Sequence, residues 1–173
     1  MTNLRKAVDG LLADHSTLMI FMNQGLHYVS NPVAHFSKKD YEIQVTEALL
    51  YLESKRLEHL GKRRIRILWR ETSAQHFPTP NGYWPGMKYA SKMNMTCVPI
   101  ADQRPESDWR NAVVREIIKK NKLDISIAPF YNQTVPLWAS HVNGHLQDCT
   151  HLCWSPMLYQ PLFHFMANSM KFS

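Results

Sequence analysis

Apolar stripes at helical spacing alternate along this chain with short, wholly apolar runs, and no other feature restricts its fold as much. Leu4, Val8, Leu11 and Leu12 form the first stripe, and residues 18–22 form a run of strand length. Tyr41, Val45, Leu49 and Leu52 make a second stripe, with Asp40 as the expected N-cap and Gly61 as the stop. Residues 65–69 are the second run. Ser107 is placed to cap a third helix bearing Trp109, Val113, Val114, Ile117 and Ile118, and residues 123–128 are the third run. Pro156 fits the first turn of a last helix that docks through Leu158, Leu162, Phe163 and Phe165. Such alternation predicts an α/β fold with a mainly parallel sheet, its strands buried on both faces between helices.

In open sheets of this kind, binding sites form beyond the carboxyl ends of the strands. Three segments lie there: residues 23–27 after the first run, residues 70–77 after the second, and a loop of residues 129–155 carrying Asp148-Cys149-Thr150-His151 after the third. An Asp three residues before a His lets a carboxylate orient an imidazole, fix its tautomer and stabilise its charged form, as a general base requires. Asn23 is placed to offer an amide N–H to a developing oxyanion, and Gly25 to let backbone approach a ligand. Arg70, His76 and His27 are candidate substrate-binding groups. The bland alternatives are a turn Asn, a solvated strand-end Arg and a packed His.

Composition narrows the partners. At 173 residues and 45% hydrophobic content, the chain fits one domain with its own core. No stretch approaches the ~20 apolar residues of a membrane span, and the charged N-terminus does not read as a signal peptide. The net charge of +6 is dispersed, with clusters at Lys62, Arg63, Arg64 and Arg66 and at Lys119, Lys120 and Lys122 near helix ends. Aromatics do not interleave with those clusters, which argues against nucleic acid. Asn94-Met95-Thr96 and Asn132-Gln133-Thr134 are glycosylation sequons expected in loops, and in a secretory compartment Cys97 has Cys149 or Cys153 as partner. His141, His145, Cys149 and Cys153 recur every four residues, but zinc binding at that spacing needs one helix, which Asn143-Gly144 breaks. Trp69, Tyr83, Trp84, Trp109, Trp138 and Trp154 supply rings for a core or for stacking on sugars.

Three passages together resemble the SGNH-hydrolase superfamily, in particular its PC-esterase branch of trichome-birefringence-like, capsule and sialate O-acetyltransferases. They are Asn23-Gln24-Gly25-Leu26-His27-Tyr28, Trp69-Arg70-Glu71-Thr72-Ser73-Ala74-Gln75-His76-Phe77 and Asp148-Cys149-Thr150-His151-Leu152-Cys153. The resemblance runs from about residue 4 to residue 165. It implies a three-layer α/β/α sandwich that moves acetyl groups on or off sugar hydroxyls through an acyl-serine. Asp148 and His151 would be the acid and base, Asn23 an oxyanion donor, and Cys97 would join a disulfide with Cys149 or Cys153. A polysaccharide or glycan would be the substrate and no bound cofactor is implied, the acetyl donor being open, with acetyl-CoA one option. Eukaryotic members work in the Golgi lumen behind a membrane anchor, here outside residues 1–173.

One part of the family pattern is missing. No Gly-Asp-Ser occurs in the sequence, and Ser16, the serine nearest to Asn23, precedes a strand instead of following one. The resemblance therefore implies the C-terminal portion of a larger domain, incomplete at its N-terminal side, with the serine supplied elsewhere. The first strand would then be a sheet edge prone to self-association. The rival reading is a glycan-binding or interaction module that keeps the cleft without catalysis.

Overall fold

Helices α1 (Thr2–Asp14) and α2 (Lys38–Glu58) flank strand β1 (Thr17–Met22), and β2 (Arg64–Arg70) follows. Helix α3 (Trp109–Asn121), strand β3 (Ser126–Ala128), a short helix α4 (Tyr131–Thr134) and helix α5 (Pro156–Ser169) complete the order. The computed structural model describes residues 2–15, 17–28, 36–85, 96–100, 108–142 and 148–170. Expectations placed on Ser16, Asn94, Ser107, the pair Asn143-Gly144 and His145 lie outside these residues.

The three strands form one parallel sheet in the order β1-β2-β3. β1 and β2 align from Thr17 opposite Arg64 to Met22 opposite Trp69, so both chains leave the sheet at the same level. Alternation across the pleat sends Leu18, Ile20 and Met22 of β1, with Ile65, Ile67 and Trp69 of β2, into one cluster. That cluster includes Val8 and Leu12 of α1, Tyr41, Val45, Leu49 and Leu52 of α2, and Val114 of α3. Phe21 points to the other face, where Ala128, Phe130, Leu158 and Leu162 of α5 pack. Helices thus cover both faces, and the fold is an α/β sandwich.

Local details depart from expectation for identifiable reasons. Ser37 is the N-cap of α2, not Asp40: its hydroxyl accepts from the Asp40 N–H at 3.2 Å, and Asp40 Oδ2 accepts from the Ser37 N–H at 2.9 Å. This is a capping box, with Asp40 as its reciprocal acid at the third helical position. Helix α2 is closed by His59, while Gly61 adopts φ 78° in the turn beyond. β3 is only three residues long because Lys122 ends α3 in the left-handed region and Leu123 still caps it, its N–H donating to Ile118. Within the expected loop of residues 129–155 sits α4, which includes the sequon at Asn132. β1 is half-buried rather than enclosed, since among the described residues only β2 pairs with it. Phe163, expected to dock α5, is 60% exposed.

Candidate functional site

The segment after β2 holds the site together, and it does so residue by residue. Residues 71–77 are all buried although four of them are polar and one is acidic, so each needs partners. Glu71 accepts from the Phe130 and Tyr131 N–H groups at 3.0 and 3.1 Å, capping α4, and pairs with Arg115 at 2.7 Å. The Thr72 N–H donates to Asn111 Oδ1 at 2.7 Å, and Asn111 returns a bond to Thr72 O at 3.0 Å. The Ala74 N–H donates to the Thr134 hydroxyl at 2.8 Å, and Gln75 Nε2 donates to the Thr150 hydroxyl at 2.9 Å. The Phe77 N–H reaches Gly82 O, closing a turn in which Gly82 has φ 75°.

Cys149 forms a disulfide with Cys97, so Cys153 is left as an exposed free thiol. The His76 N–H donates to Cys149 O at 2.9 Å, which hangs the 148–151 turn on the ribbon. Within that turn, Asp148 Oδ1 accepts from the N–H groups of Thr150 at 2.8 Å and His151 at 3.0 Å. This Asx-type turn is why the spacing of three works. It leaves Oδ2 facing His151 Nδ1 at 2.6 Å. Burial alone would raise the Asp148 pKa, but the His151 and Thr150 N–H groups and the His151 ring outweigh it and hold the carboxyl below its ordinary range. An ionised Asp148 accepts Nδ1–H and leaves Nε2 with its lone pair. Nε2 has no hydrogen-bond partner among the described residues.

His151 borders a cleft of about 1080 Å³ whose walls include Asn23, Gly25, His27, Gln75, Tyr83, Trp84, Arg110 and Asp148. The structure therefore brings four sequence candidates, Asn23, His27, Asp148 and His151, to one space at the carboxyl ends of the strands. Asn23 is already engaged: Nδ2 donates to Arg70 O at 2.8 Å and to the Thr72 hydroxyl at 3.2 Å. As an oxyanion donor it would have to exchange the longer of these. Gly25 lines the cleft and is also required by packing. A Cβ there would stand 2.8 Å from Thr72 Oγ1 and 3.1 Å from Arg110 Cδ, at a φ of 152°.

Arg70 and His76 lie elsewhere. Arg70 donates to Asn23 Oδ1 at 3.0 Å, stacks on Phe130 at 4.6 Å and lines a second cleft of about 490 Å³. That cleft holds Ser73, shares Leu26, Thr150 and His151 with the first, and is otherwise mostly apolar. His76 is fully buried, with Nε2 donating to Val135 O at 2.9 Å and Nδ1 2.7 Å from His141 Nε2. His141 in turn lies 3.0 Å from the backbone oxygen of His151. His76 is thus two hydrogen bonds behind the candidate base and does not line the cleft. Trp69 and Trp109 are core, while Trp138 and Trp154 are exposed away from the cleft.

The two histidines make acidity destructive. Burial lowers the pKa of both below the ordinary ~6.5. A folded pKa below the unfolded one gives stability that is complete above pH ~6.5 and is lost as pH falls toward the folded values. We expect the melting temperature to drop between pH 7 and pH 5, and the drop to shrink in His141→Gln. An unchanged slope in that variant would clear the pair of responsibility.

Sequence reasoning missed Arg110, which read as one polar residue on a helix, and the pairing of Gln75 with Thr150. Nothing in the spacing marked either. Among known proteins, no family model, no curated protein and no solved structure matches this chain.

Proposed function

We propose that the larger cleft is the acyl-transfer site of a carbohydrate O-acetyltransferase or O-acyl esterase. One observation carries this reading: an imidazole held through Nδ1 by an ionised carboxylate, with Nε2 free at the cleft rim. That arrangement suits a base that takes a proton from an attacking hydroxyl and returns it to a leaving group. No Gly-Asp-Ser occurs in residues 1–173, so in this proposal the nucleophilic serine arrives on a segment outside them; among the described residues no Ser or Cys borders the cleft. The open side of β1 gives such a segment a place to pair in parallel, and its strand end would then fall beside Asn23. Without it, a second copy is the expected occupant of that edge. The disulfide fits an oxidising compartment, and we assign the protein to the secretory pathway. Among the described residues no helix is long and apolar enough to cross a membrane.

The test compares residues 1–173 with a chain extended upstream in the transcript, using acetylated xylan, p-nitrophenyl acetate and a fluorophosphonate label. The expected result is no label and self-association for residues 1–173, against labelling and acetyl turnover for the extended chain. Turnover should fall at least ~10³-fold in His151→Ala. Labelling of Ser73 in the isolated chain would overturn the external serine. Glycan binding without turnover, indifferent to His151→Ala, would favour a binding module, a reading supported by the Phe77, Tyr83 and Trp84 wall.

A further inference from the structure

We propose that Arg110 is an anion-binding group of the larger cleft and that the ligand there bears a carboxylate, as a uronic-acid sugar does. The choice of a sugar as carrier rests on the glycan reading above; the anion site does not. Arg110 is 5% exposed and lines the cleft. Its guanidinium lies between two rings, 4.7 Å from the centroid of Tyr83 and 4.8 Å from that of Trp109. Nε and Nη2 both donate to the Tyr28 carbonyl oxygen. Nη1 and the second Nη2 hydrogen have no partner among the described residues.

A guanidinium so placed has no counter-charge among the described residues. Asp108 and Glu71 both pair with Arg115, and no described carboxylate pairs with Arg110. Burial opposes its ionisation, yet a guanidinium keeps its proton at any ordinary pH. An uncompensated cation under protein is costly unless something neutralises it, and the side on which this one opens is the cleft. Two free donors in one plane match the oxygens of a carboxylate. A phosphate dianion would call for several positive groups, and Arg110 is the only Lys or Arg among the described residues that line the cleft. Tyr83, Trp84 and Phe77 on the same wall give a sugar ring apolar surface to lie on. Tyr28 and Gly25 hold the arginine in position, the first through its carbonyl and the second by leaving no Cβ against Arg110 Cδ.

The experiment is calorimetric titration of the unmodified chain with trigalacturonic acid and with its methyl ester, which has the same shape and no charge. The free acid should bind at least tenfold more tightly than the ester. Arg110→Gln should abolish the preference, Arg110→Lys retain part of it, and Lys119→Gln, on an exposed part of α3, leave it intact. Equal binding of acid and ester, failure of both to bind, or a preference that survives Arg110→Gln would overturn the proposal. Should Arg110→Gln not fold, the acid-to-ester comparison on the unmodified chain decides alone. Repeating the titration with His151→Ala separates the two readings, because acid preference persists there even if no acyl transfer is ever found.

Discussion

Reducing the Cys97–Cys149 bond lowers the unfolding free energy by about 4 kcal/mol, the entropy expected for a cross-link spanning a sequence separation of 52. Few other single changes here should cost as much. Residues 96–100 and the 148–151 turn contribute few buried apolar side chains of their own; Cys149 and Phe77, with Trp84 and Cys97 at the margin, form a small separate cluster. The disulfide and the backbone bonds from His76 to Cys149 and from Val98 to His76 hold both segments to the ribbon after β2. Urea unfolding of Cys97→Ser in a Cys153→Ser background, which removes the exposed thiol and so prevents reshuffling, measures the effect. A loss below about 1 kcal/mol would mean that the aromatic packing of Phe77 on Trp84 fixes the turn by itself.

That dependence on distant tethers explains what the sequence could and could not reveal. The strands and long helices were legible because their signal is local: Val45, Leu49 and Leu52 declare a helix face, and residues 65–69 declare a buried strand, without reference to the rest of the chain. So was the Asp148–His151 contact, since an Asx turn is built within four residues. The choice of Cys149 over Cys153 was not legible, because both lie within reach on sequence spacing and only the path of residues 96–100 decides between them.

The ribbon of residues 70–77 shows the harder limit. Arg70 and His76 stood out as binding groups because charged and imidazole side chains after a strand often meet ligands. In the fold His76 meets Val135 and His141 and is buried, while Arg70 meets Asn23 and Phe130 at the wall of the second cleft, all of them partners 47 to 65 residues away. Thr72, Ala74 and Gln75 do the same with Asn111, Thr134 and Thr150. Polar residues in a buried strand extension read as a site, yet here they satisfy one another and fix the walls. Arg110 is the converse. Nothing in its sequence surroundings singled it out, and only the packing of Tyr83 and Trp109 around it makes it a buried charge at a cleft.

Asp148→Asn should switch the His151 tautomer while leaving the fold nearly intact. In the unmodified protein the carboxylate accepts at both oxygens, two backbone N–H groups on Oδ1 and the ring on Oδ2. An amide keeps one acceptor. If its oxygen stays with the Thr150 and His151 N–H groups, which hold the turn, the NH₂ faces Nδ1. Two donors cannot share that contact, so the ring proton moves to Nε2 and the lone pair turns inward. The atom that should accept a proton from the cleft then carries one. ¹⁵N chemical shifts of the His151 ring at pH 8 report this directly: Nδ1–H in the unmodified chain and Nε2–H in Asp148→Asn. If the proposed acyl transfer holds, the same change in the extended chain should cost about 10⁴-fold in turnover, as a wrong tautomer does in a serine triad. Nε2–H in the unmodified chain would remove the base from the proposed mechanism, whatever activity were measured.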